Sequence, residues 1–365
     1  MTSRTKKILA VTVSTLLTLL LAELALRVLD ASTSTDFFHV MRNRRNTSEK
    51  TRLKLVDTIT LSRHDALIFE LAPGTRGEFQ GAPLAINDAG HVGPPVGPQR
   101  ATPDTKRLLV LGDSNAFGWA VPYEKSLVAL AAARWKRDHG AALEVLNTAI
   151  PGYNTFQEAA ALKIYGPEFK PDAILLVACR NDAGMANFLH VPSNPLALDR
   201  SFLVDLITVR IKSALRGAKY RNSSTPKGLG KVRNELGEDF IDFISPEQLE
   251  KIPPRYRERV GREAVMKSLA SIAETAKSFG APVVVAYIRQ GGEDPLAGPM
   301  LARCRELGFG VVDIKTPVEA LLKSSGRDYA DLRVFPHDDH PSLEYHALLG
   351  KEIYEQQLKA ALEAQ

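Results

Sequence analysis

Residues that could perform covalent chemistry are concentrated in two segments that lie far apart in the chain. The first is the turn Gly112-Asp113-Ser114, which directly follows the apolar run Leu108–Leu111. The second is Pro336-His-Asp-Asp-His340, which lies just ahead of the last predicted helix. A serine hydroxyl is inert until a base takes its proton, and histidine titrates in the range that suits a base. Ser114 is therefore a candidate nucleophile and His340 is its candidate base.

A third side chain must fix the histidine tautomer and stabilise the imidazolium, and a carboxylate suits this role. Asp338 lies two residues before His340, and Asp339 is the alternative. A metal site is a rival interpretation, because this segment contains four residues of metal-binding type, His337, Asp338, Asp339 and His340. Adjacent side chains point in divergent directions, however, and no second His/Asp cluster completes a catalytic site. We therefore expect no metal, and we expect His337 and His346 to be ordinary surface or packing residues.

Two loops contain groups that suit an oxyanion hole. The segment Glu144–Leu146 is followed by NTAIPGYNT, in which Gly152 leaves its backbone N–H open to close approach. The segment Ala173–Ala178 is followed by Cys179, Arg180 and Asn181. Backbone N–H groups and asparagine side chains are the usual donors to a tetrahedral oxyanion. Gly152 and Asn181 are therefore candidate donors.

These segments are joined by an alternation of predicted strands and helices from Arg107 onward. The predicted strands are Leu108–Leu111, Glu144–Leu146, Ala173–Ala178, Val283–Ala286 and Val311–Ile314. The predicted helices are Ser126–Asp138, Phe156–Tyr165, Glu263–Phe279, Leu301–Leu307, Pro317–Leu322 and Leu343–Ala361. Two capping boxes are predicted, at Thr155/Glu158 and at Thr316/Glu319. Such alternation predicts an α/β fold of three layers, with a parallel sheet between two layers of helices.

The first thirty residues have a different character. Basic residues precede an apolar run that continues from Ile8 to Leu29, the length of a membrane helix. Glu23 and Arg27 lie four residues apart on one helix face and are expected to pair near the membrane interface. A cleaved signal peptide is the alternative, but no small-x-small cleavage site follows the run. We predict an uncleaved, single-pass anchor over residues 1–30, with the rest of the chain on the extracytoplasmic side.

The remaining organisation follows from composition. Residues 31–105 are predicted to form a juxtamembrane stalk and a small β extension, and residues 106–365 form the main domain. An insertion at about 187–262 interrupts the pattern and contains the basic stretch Arg210–Arg233. This stretch is predicted to be a solvated lid or surface loop. The alternative is a contact surface for anionic lipid or acidic glycan. The net charge of +5 does not by itself indicate a nucleic-acid partner. Two cysteines, Cys179 and Cys304, exclude a disulfide framework and Cys-rich zinc sites.

The order of these motifs resembles the SGNH (GDSL-like) hydrolases, and in particular membrane-anchored bacterial members. The matching blocks are Gly112-Asp113-Ser114, Gly152 in NTAIPGYNT, Asn181 in RNDA, and Asp338-x-His340 in DDHPS. The resemblance implies a flavodoxin-like fold with Ser114 as nucleophile, His340 as base and Asp338 as the residue that orients it. It also implies an oxyanion hole formed by the N–H groups of Ser114 and Gly152 and the side chain of Asn181.

The chain departs from the family pattern at two positions. Cys179 occupies a position where the family often has glycine. Many members place the orienting aspartate three residues before the histidine, where this chain has His337. The assignment of Asp338 therefore depends on a shorter D-x-H spacing, and Asp339 stays open as the alternative.

Three functional hypotheses follow. The first is an anchored serine ester hydrolase that acts through an acyl-enzyme on acyl or acetyl esters of envelope glycans or lipids, without a cofactor. The second is an O-acyltransferase that uses the same serine and passes the acyl group to a sugar hydroxyl. The third is a non-catalytic, anchored glycan-binding or scaffold protein. The presence of all four motif positions favours an enzyme over the third hypothesis.

Overall fold

The structure is a computed structural model of the 365-residue chain. It describes residues 2–32, 52–191, 196, 198, 201–204, 206–207, 226, 228–289 and 291–365. These residues belong to two compact units. The first comprises Met1–Glu49 with His190–Leu229, and the second comprises Lys50–Leu189 with Gly230–Gln365. All of the candidate site residues lie in the second unit.

The regular elements alternate as the sequence predicts. The strands are β1 (Arg52–Leu53), β2 (Ile59–Leu61), β3 (Phe69–Leu71), β4 (Arg76–Phe79), β5 (Ala82–Ala85), β6 (Arg107–Gly112), β7 (Glu144–Asn147), β8 (Ala173–Ala178), β9 (Phe188–His190), β10 (Leu229–Lys231), β11 (Val283–Tyr287), β12 (Gly310–Val312), β13 (Arg333–Phe335) and β14 (Asp338–Pro341). The helices are α1 (Ser3–Ser32), α2 (Ser114–Phe117), α3 (Leu127–His139), α4 (Thr155–Phe169), α5 (Val232–Glu235), α6 (Pro246–Leu249), α7 (Pro254–Arg257), α8 (Gly261–Phe279), α9 (Ala297–Glu306), α10 (Lys315–Ser325), α11 (Leu343–Ile353) and α12 (Lys359–Glu363).

The core of the second unit is a five-stranded parallel sheet in the order β12-β11-β8-β6-β7. Numbered along the chain, this order is 2-1-3-4-5, the doubly wound arrangement of flavodoxin-like folds. The strands β6, β8 and β11 are buried along their whole length, as apolar strands covered on both faces must be. Helices α3 and α11 pack together, as do α4 and α8, and these pairs contribute to the two outer layers. The predicted three-layer α/β fold is confirmed.

The structure corrects details at the ends of elements. Strand β12 is shorter than predicted and ends at Val312, after which the chain turns directly into α10. The capping box of α4 pairs Asn154 with Gln157, one residue before the predicted pair. The predicted box at Thr316 and Glu319 is wrong, because α10 begins at Lys315 and Asp313 instead accepts the N–H of Thr316. In both cases a neighbouring polar side chain has the geometry to serve as the cap.

The predicted β extension packs against the sheet domain. Strands β1, β4 and β5 form one small sheet, and β2 pairs with β3. Two side chains donate hydrogen bonds to the backbone of the β extension. The Tyr153 hydroxyl, in the loop before α4, donates to the Phe69 carbonyl at 2.5 Å, and Gln157 on α4 donates to the Leu67 carbonyl at 2.5 Å. Phe69 is buried against Tyr153 and Phe188. The extension is therefore an integral part of the domain that contains the five-stranded sheet.

Among the described residues, one helix is long and apolar enough to cross a membrane, Ser3–Leu29, with a mean hydropathy of 2.1 and no buried residues in its most apolar window. The predicted pairing of Glu23 with Arg27 is present at 2.8 Å. Glu23 also accepts the backbone N–H groups of Phe202 and Leu203 and the hydroxyl of Ser201. The acidic residue within the apolar helix is thus fully hydrogen-bonded.

The predicted insertion lies partly outside the described residues. Most of the basic stretch Arg210–Arg233 belongs to that part of the chain. The described portion is not a continuous loop, because it contains β9 and β10 and the short helices α5, α6 and α7. Asp242 in this portion forms an ion pair at 3.1 Å with Arg180, which lies in the loop after β8.

A buried arginine lies at the start of β6, the first strand of the five-stranded sheet in chain order. Arg107, the first residue of β6, is 1% exposed and donates to Glu144 at 2.7 Å. It also donates to the carbonyls of Gly97, Pro98 and Phe169 at 2.9, 3.0 and 2.7 Å. One guanidinium therefore joins the segment Gly97–Pro98, β7 and the end of α4 to the edge of the sheet where β6 begins.

We expect Arg107→Met to lower the free energy of unfolding by about 3 kcal/mol or more, because it leaves the Glu144 carboxylate and three carbonyls without their shared donor. The matched control is Arg137→Met, which removes a largely exposed arginine paired with Asp138 and should cost less than about 1 kcal/mol. Guanidinium titration of the full chain in detergent, followed by tryptophan fluorescence, measures both. Equal losses in the two variants would contradict the assignment.

Candidate active site

Ser114 directly follows the carboxyl end of β6. The order of the strands reverses at β6, because β7 lies on one side of it and β8 on the other. The strand ends at Gly112, and the chain turns into the one-turn helix α2 at Ser114. Asp113 caps this helix by accepting the N–H of Asn115 at 2.9 Å. A side chain at Gly112 would meet Ala116 at 2.8 Å and the carbonyl of Val177 at 3.0 Å. The turn is therefore tight, and it presents Ser114 at the edge of the sheet where ligands collect in such folds.

His340 reaches the same place from the other end of the chain. It lies on β14, which forms an irregular hairpin with β13 in which Phe335 pairs with Asp338. Pro341 ends the strand, and Ser342 then caps α11 by accepting the N–H of Tyr345. The packing of α11 on α3 fixes this hairpin against the turn that contains Ser114.

The predicted serine, histidine and aspartate form a continuous relay. The Ser114 hydroxyl lies 2.7 Å from His340 Nε2, and His340 Nδ1 lies 2.5 Å from Asp338 Oδ1. Asp338 Oδ1 also accepts the backbone N–H of His340 at 3.1 Å. Asp339 points elsewhere and pairs with Arg333 at 2.9 Å. The D-x-H spacing therefore brings Asp338, and not Asp339, to the imidazole.

The surroundings of Asp338 keep it ionised. Burial by itself raises the pKa of Asp338, but its hydrogen bonds with His340 and with Trp119 outweigh burial and lower the pKa to about 2. A carboxylate that stays charged through the neutral and mildly acidic range holds Nδ1 of His340 in its protonated form. His340 Nε2 is then the atom that can accept a proton from Ser114.

Trp119 is the neighbour of the relay that sequence reasoning missed. Its indole N–H donates to Asp338 Oδ2 at 3.0 Å. Its ring is stacked on the His340 imidazole with a centroid separation of 4.5 Å and an interplanar angle of 12°. The only sequence signal was its position five residues after Ser114, and an aromatic residue there is indistinguishable from a core residue without the fold.

Asn181 and the nucleophile Ser114 share a hydrogen-bond partner, Asp113. Its side-chain nitrogen donates to Asp113 Oδ2 at 2.9 Å, and the Ser114 hydroxyl is 3.2 Å from the same oxygen. The Cys179 thiol donates to Asn181 Oδ1 at 2.8 Å. The amide is thus held on both sides, so that its orientation is fixed. Cys179, the departure from the family pattern, takes part in this arrangement.

Gly152 lies in the loop that follows β7. The N–H of Ile150 in this loop donates to the Gly112 carbonyl at 3.3 Å, which brings the loop next to the Ser114 turn. Gly152 has a φ of +84°, and a side chain there would lie 2.2 Å from the side chain of Asn187. The carbonyl of Gly152 accepts the N–H of Asn187. Backbone conformation and packing both demand glycine at this position.

A group of buried acids lies behind these residues. Burial raises the pKa of Glu158 and of Asp182 well above the ordinary range, and the negative charges of neighbouring carboxylates raise both further. Glu158 was predicted as a capping residue, but it is 1% exposed and faces the interior. The prediction that Glu158 caps the helix is wrong because Gln157 occupies that role. The spacing of residues in the sequence did not predict the pairing of Glu158 with other buried acids.

The remaining candidates are structural. His346 is completely buried and accepts the N–H of Leu127 at 3.1 Å, and burial lowers its pKa to about 4. It is a packing residue, as expected. Burial raises the pKa of the Cys179 thiol, and both cysteines are free. Among the residues that the structure describes, no group of three or more His, Cys, Asp or Glu side chains is arranged to hold a metal ion.

Comparisons with known proteins identify several similar sequences and structures. The chain resembles GDSL/SGNH hydrolases. An arylesterase from Vibrio mimicus is 27% identical over 160 residues, which span 44% of this chain and 76% of the relative. Similar solved structures include a lipolytic protein of the G-D-S-L family from Desulfitobacterium hafniense (12% identity, TM-score 0.40, 69% of this chain and 99% of that chain). Another is a catalytic mutant of Axe2, an acetylxylan esterase from Geobacillus stearothermophilus (15% identity, TM-score 0.40, 69% and 93%). No protein-family model matches the chain.

The two adjacent aspartates provide a test of the relay. We expect Asp338→Asn to lower kcat for a small activated ester by about 1,000-fold or more, because an amide no longer holds the required tautomer of His340. Asp339→Asn should change kcat by less than about 3-fold, since it removes only an exposed pair with Arg333. Steady-state rates with p-nitrophenyl acetate, with folding checked by circular dichroism, separate the two. A larger loss in Asp339→Asn would exclude the observed relay.

Proposed function

We propose that the protein is a membrane-anchored serine ester hydrolase that acts through an acyl-enzyme on Ser114. The observation that carries this proposal is the relay of Ser114, His340 and Asp338 at the carboxyl edge of the sheet, with distances of 2.7 and 2.5 Å. Separately, the named relatives include an arylesterase and an acetylxylan esterase, which agree with this class of reaction.

The reaction follows from the donors and acceptors at this edge. His340 Nε2 takes the hydroxyl proton as Ser114 Oγ attacks the acyl carbon, and the imidazolium that forms is stabilised by Asp338. His340 then returns the proton to the departing alcohol, which leaves an acyl group on Ser114. A water molecule attacks this ester while His340 accepts its proton. His340 then donates that proton to Ser114 Oγ as the acid leaves, which restores the free serine.

The oxyanion formed in each step needs donors that are already in place. We propose the N–H groups of Ser114 and Gly152 and the side-chain N–H of Asn181 for this role. Asn181 is supported by its fixed amide, held by Cys179 on one side and Asp113 on the other. Gly152 is supported by its loop, which hydrogen-bonds to the end of β6.

We propose that the substrate has a polar alcohol component. An open cleft of about 410 Å³ is lined in part by Arg180 and Asp339, the chain neighbours of Asn181 and His340, and we propose that this cleft receives that component. Its other charged residues are Arg333 and Asp328, and Tyr329 contributes an aromatic ring. Such a lining suits hydroxyl-rich groups better than a long acyl chain. We therefore propose short acyl esters, such as acetyl esters, of envelope glycans as the substrates.

The helix Ser3–Leu29 supports the location that we propose for this activity. Its length and hydropathy suit a single membrane span. We propose that it stays attached as an anchor, with the second unit on the extracytoplasmic side. The enzyme would then act on esters close to the membrane that holds it.

Replacement of the nucleophile tests the reaction. We expect Ser114→Ala to lower kcat for p-nitrophenyl acetate by about 10⁴-fold or more while the circular dichroism spectrum is unchanged. The matched control is Ser324→Ala on the exposed side of α10, which should retain wild-type turnover. Turnover that survives in Ser114→Ala would exclude an acyl-enzyme at this residue.

The same assay tests the substrate class. With esters of increasing acyl length, kcat/KM should fall steadily from acetate to decanoate, and acetate should be released from an O-acetylated polysaccharide. A preference for decanoate, with no release from the polysaccharide, would contradict the glycan proposal while leaving Ser114 as the nucleophile.

A further inference from the structure

We propose that Trp119 is a positioning residue for the acyl transfer and that the β extension holds it in place through Phe79. This inference rests on the proposed function, because it assigns both residues a part in the reaction at Ser114. Neither residue belongs to the four sequence blocks that carry the family resemblance.

Trp119 touches every member of the relay. Its backbone N–H donates to the carbonyl of Ser114 at 3.1 Å. Its indole N–H donates to Asp338 Oδ2 at 3.0 Å, and its ring lies on the imidazole of His340 at 4.5 Å. One residue therefore links the turn that presents the nucleophile to the hairpin that presents the base and the acid.

The two carboxylate oxygens of Asp338 accept hydrogen bonds from different residues. Oδ1 accepts both the ring and the backbone N–H groups of His340, and Oδ2 accepts the indole N–H of Trp119. A carboxylate held at one oxygen alone can rotate about its side-chain bond. The indole N–H prevents this rotation, so that Oδ1 stays directed at His340 Nδ1.

The stacked ring has a second effect. The imidazole can swing away from Ser114 only by leaving the indole face. When His340 accepts the serine proton it becomes a cation, and the face of a tryptophan ring attracts a cation. The stacking thus restrains the neutral base and favours the charged form that appears during the reaction.

Trp119 is held in turn by the β extension. Phe79 is 2% exposed and meets the Trp119 ring edge-on at 4.8 Å and 84°. Phe79 is the last residue of β4 and pairs with Ala82 across a two-residue turn, Gln80–Gly81, in which both residues have positive φ. Such turns fix the register of a hairpin. The hairpin therefore delivers Phe79 to one position, against Trp119.

The test uses the full-length chain in detergent, with p-nitrophenyl acetate as substrate. Trp119→Phe keeps a ring and removes the N–H, and it should lower kcat by about 10-fold while KM changes by less than 2-fold. The matched control, Trp135→Phe, changes the chain's other tryptophan on α3 and should retain wild-type kcat. Phe79→Leu should lower kcat by a smaller factor without loss of folded structure.

A double-mutant cycle separates positioning from a general structural role. If Trp119 acts through Asp338, Trp119→Phe should have almost no further effect on kcat in the Asp338→Asn background. Equal factors in both backgrounds would overturn the proposal, and so would a wild-type kcat in Trp119→Phe.

A ¹⁹F NMR measurement tests the contact between Trp119 and Asp338 without relying on turnover. Incorporation of 5-fluorotryptophan gives one ¹⁹F resonance for each of the two tryptophans, and Trp119→Phe assigns them. Asp338→Asn should shift the Trp119 resonance and leave that of Trp135 in place, and an unmoved Trp119 resonance would overturn the contact. Absence of turnover in the wild-type protein would contradict the proposed function, and with it the catalytic part of this inference. A wild-type rate in Trp119→Phe would overturn only the role of Trp119.

Discussion

The hydrogen bond between Ser114 and His340 is the interaction that the surrounding elements must hold in place. It joins residues 226 positions apart, so it exists only if the first strand of the sheet and the hairpin near the C-terminus are placed together. The sheet order places β6 between β7 and β8, and the packing of α11 on α3 brings β14 to the carboxyl end of β6. A shift of about an ångström in either element would break the proton path.

The surroundings of this bond are arranged to hold it rigid rather than to supply further chemistry. Asp113 is buried and receives hydrogen bonds from Asn115 and Asn181, which fixes the turn on the nucleophile's side. Trp119 fixes the base's side, and the β extension packs behind it. Two buried acids, Glu158 and Asp182, lie nearby, and burial together with neighbouring carboxylates raises the pKa of both. The N-terminal β extension is thus part of the structure that supports the site.

The sequence was sufficient for the parts of the molecule that depend on local pattern. Apolar runs predicted β6, β8 and β11, because strands covered on both faces need no polar positions. Ser114 and His340 were found by their side-chain chemistry and their places after a strand and before a helix. The choice between Asp338 and Asp339 needed the hairpin geometry, since neighbouring strand residues point to opposite faces. Trp119 and Phe79 were out of reach, because aromatic residues that support a site have the same local pattern as those that fill a core.

Covalent labelling with a fluorophosphonate probe tests the central claim most directly, because such a probe reacts with a serine only when a base activates it. The full chain in detergent is treated with the probe, digested, and read by peptide mass. The relay predicts one adduct, on Ser114, that is lost in His340→Ala. A folded protein that carries no adduct, or an adduct on Ser114 that forms equally fast in His340→Ala, would contradict the claim that His340 activates Ser114.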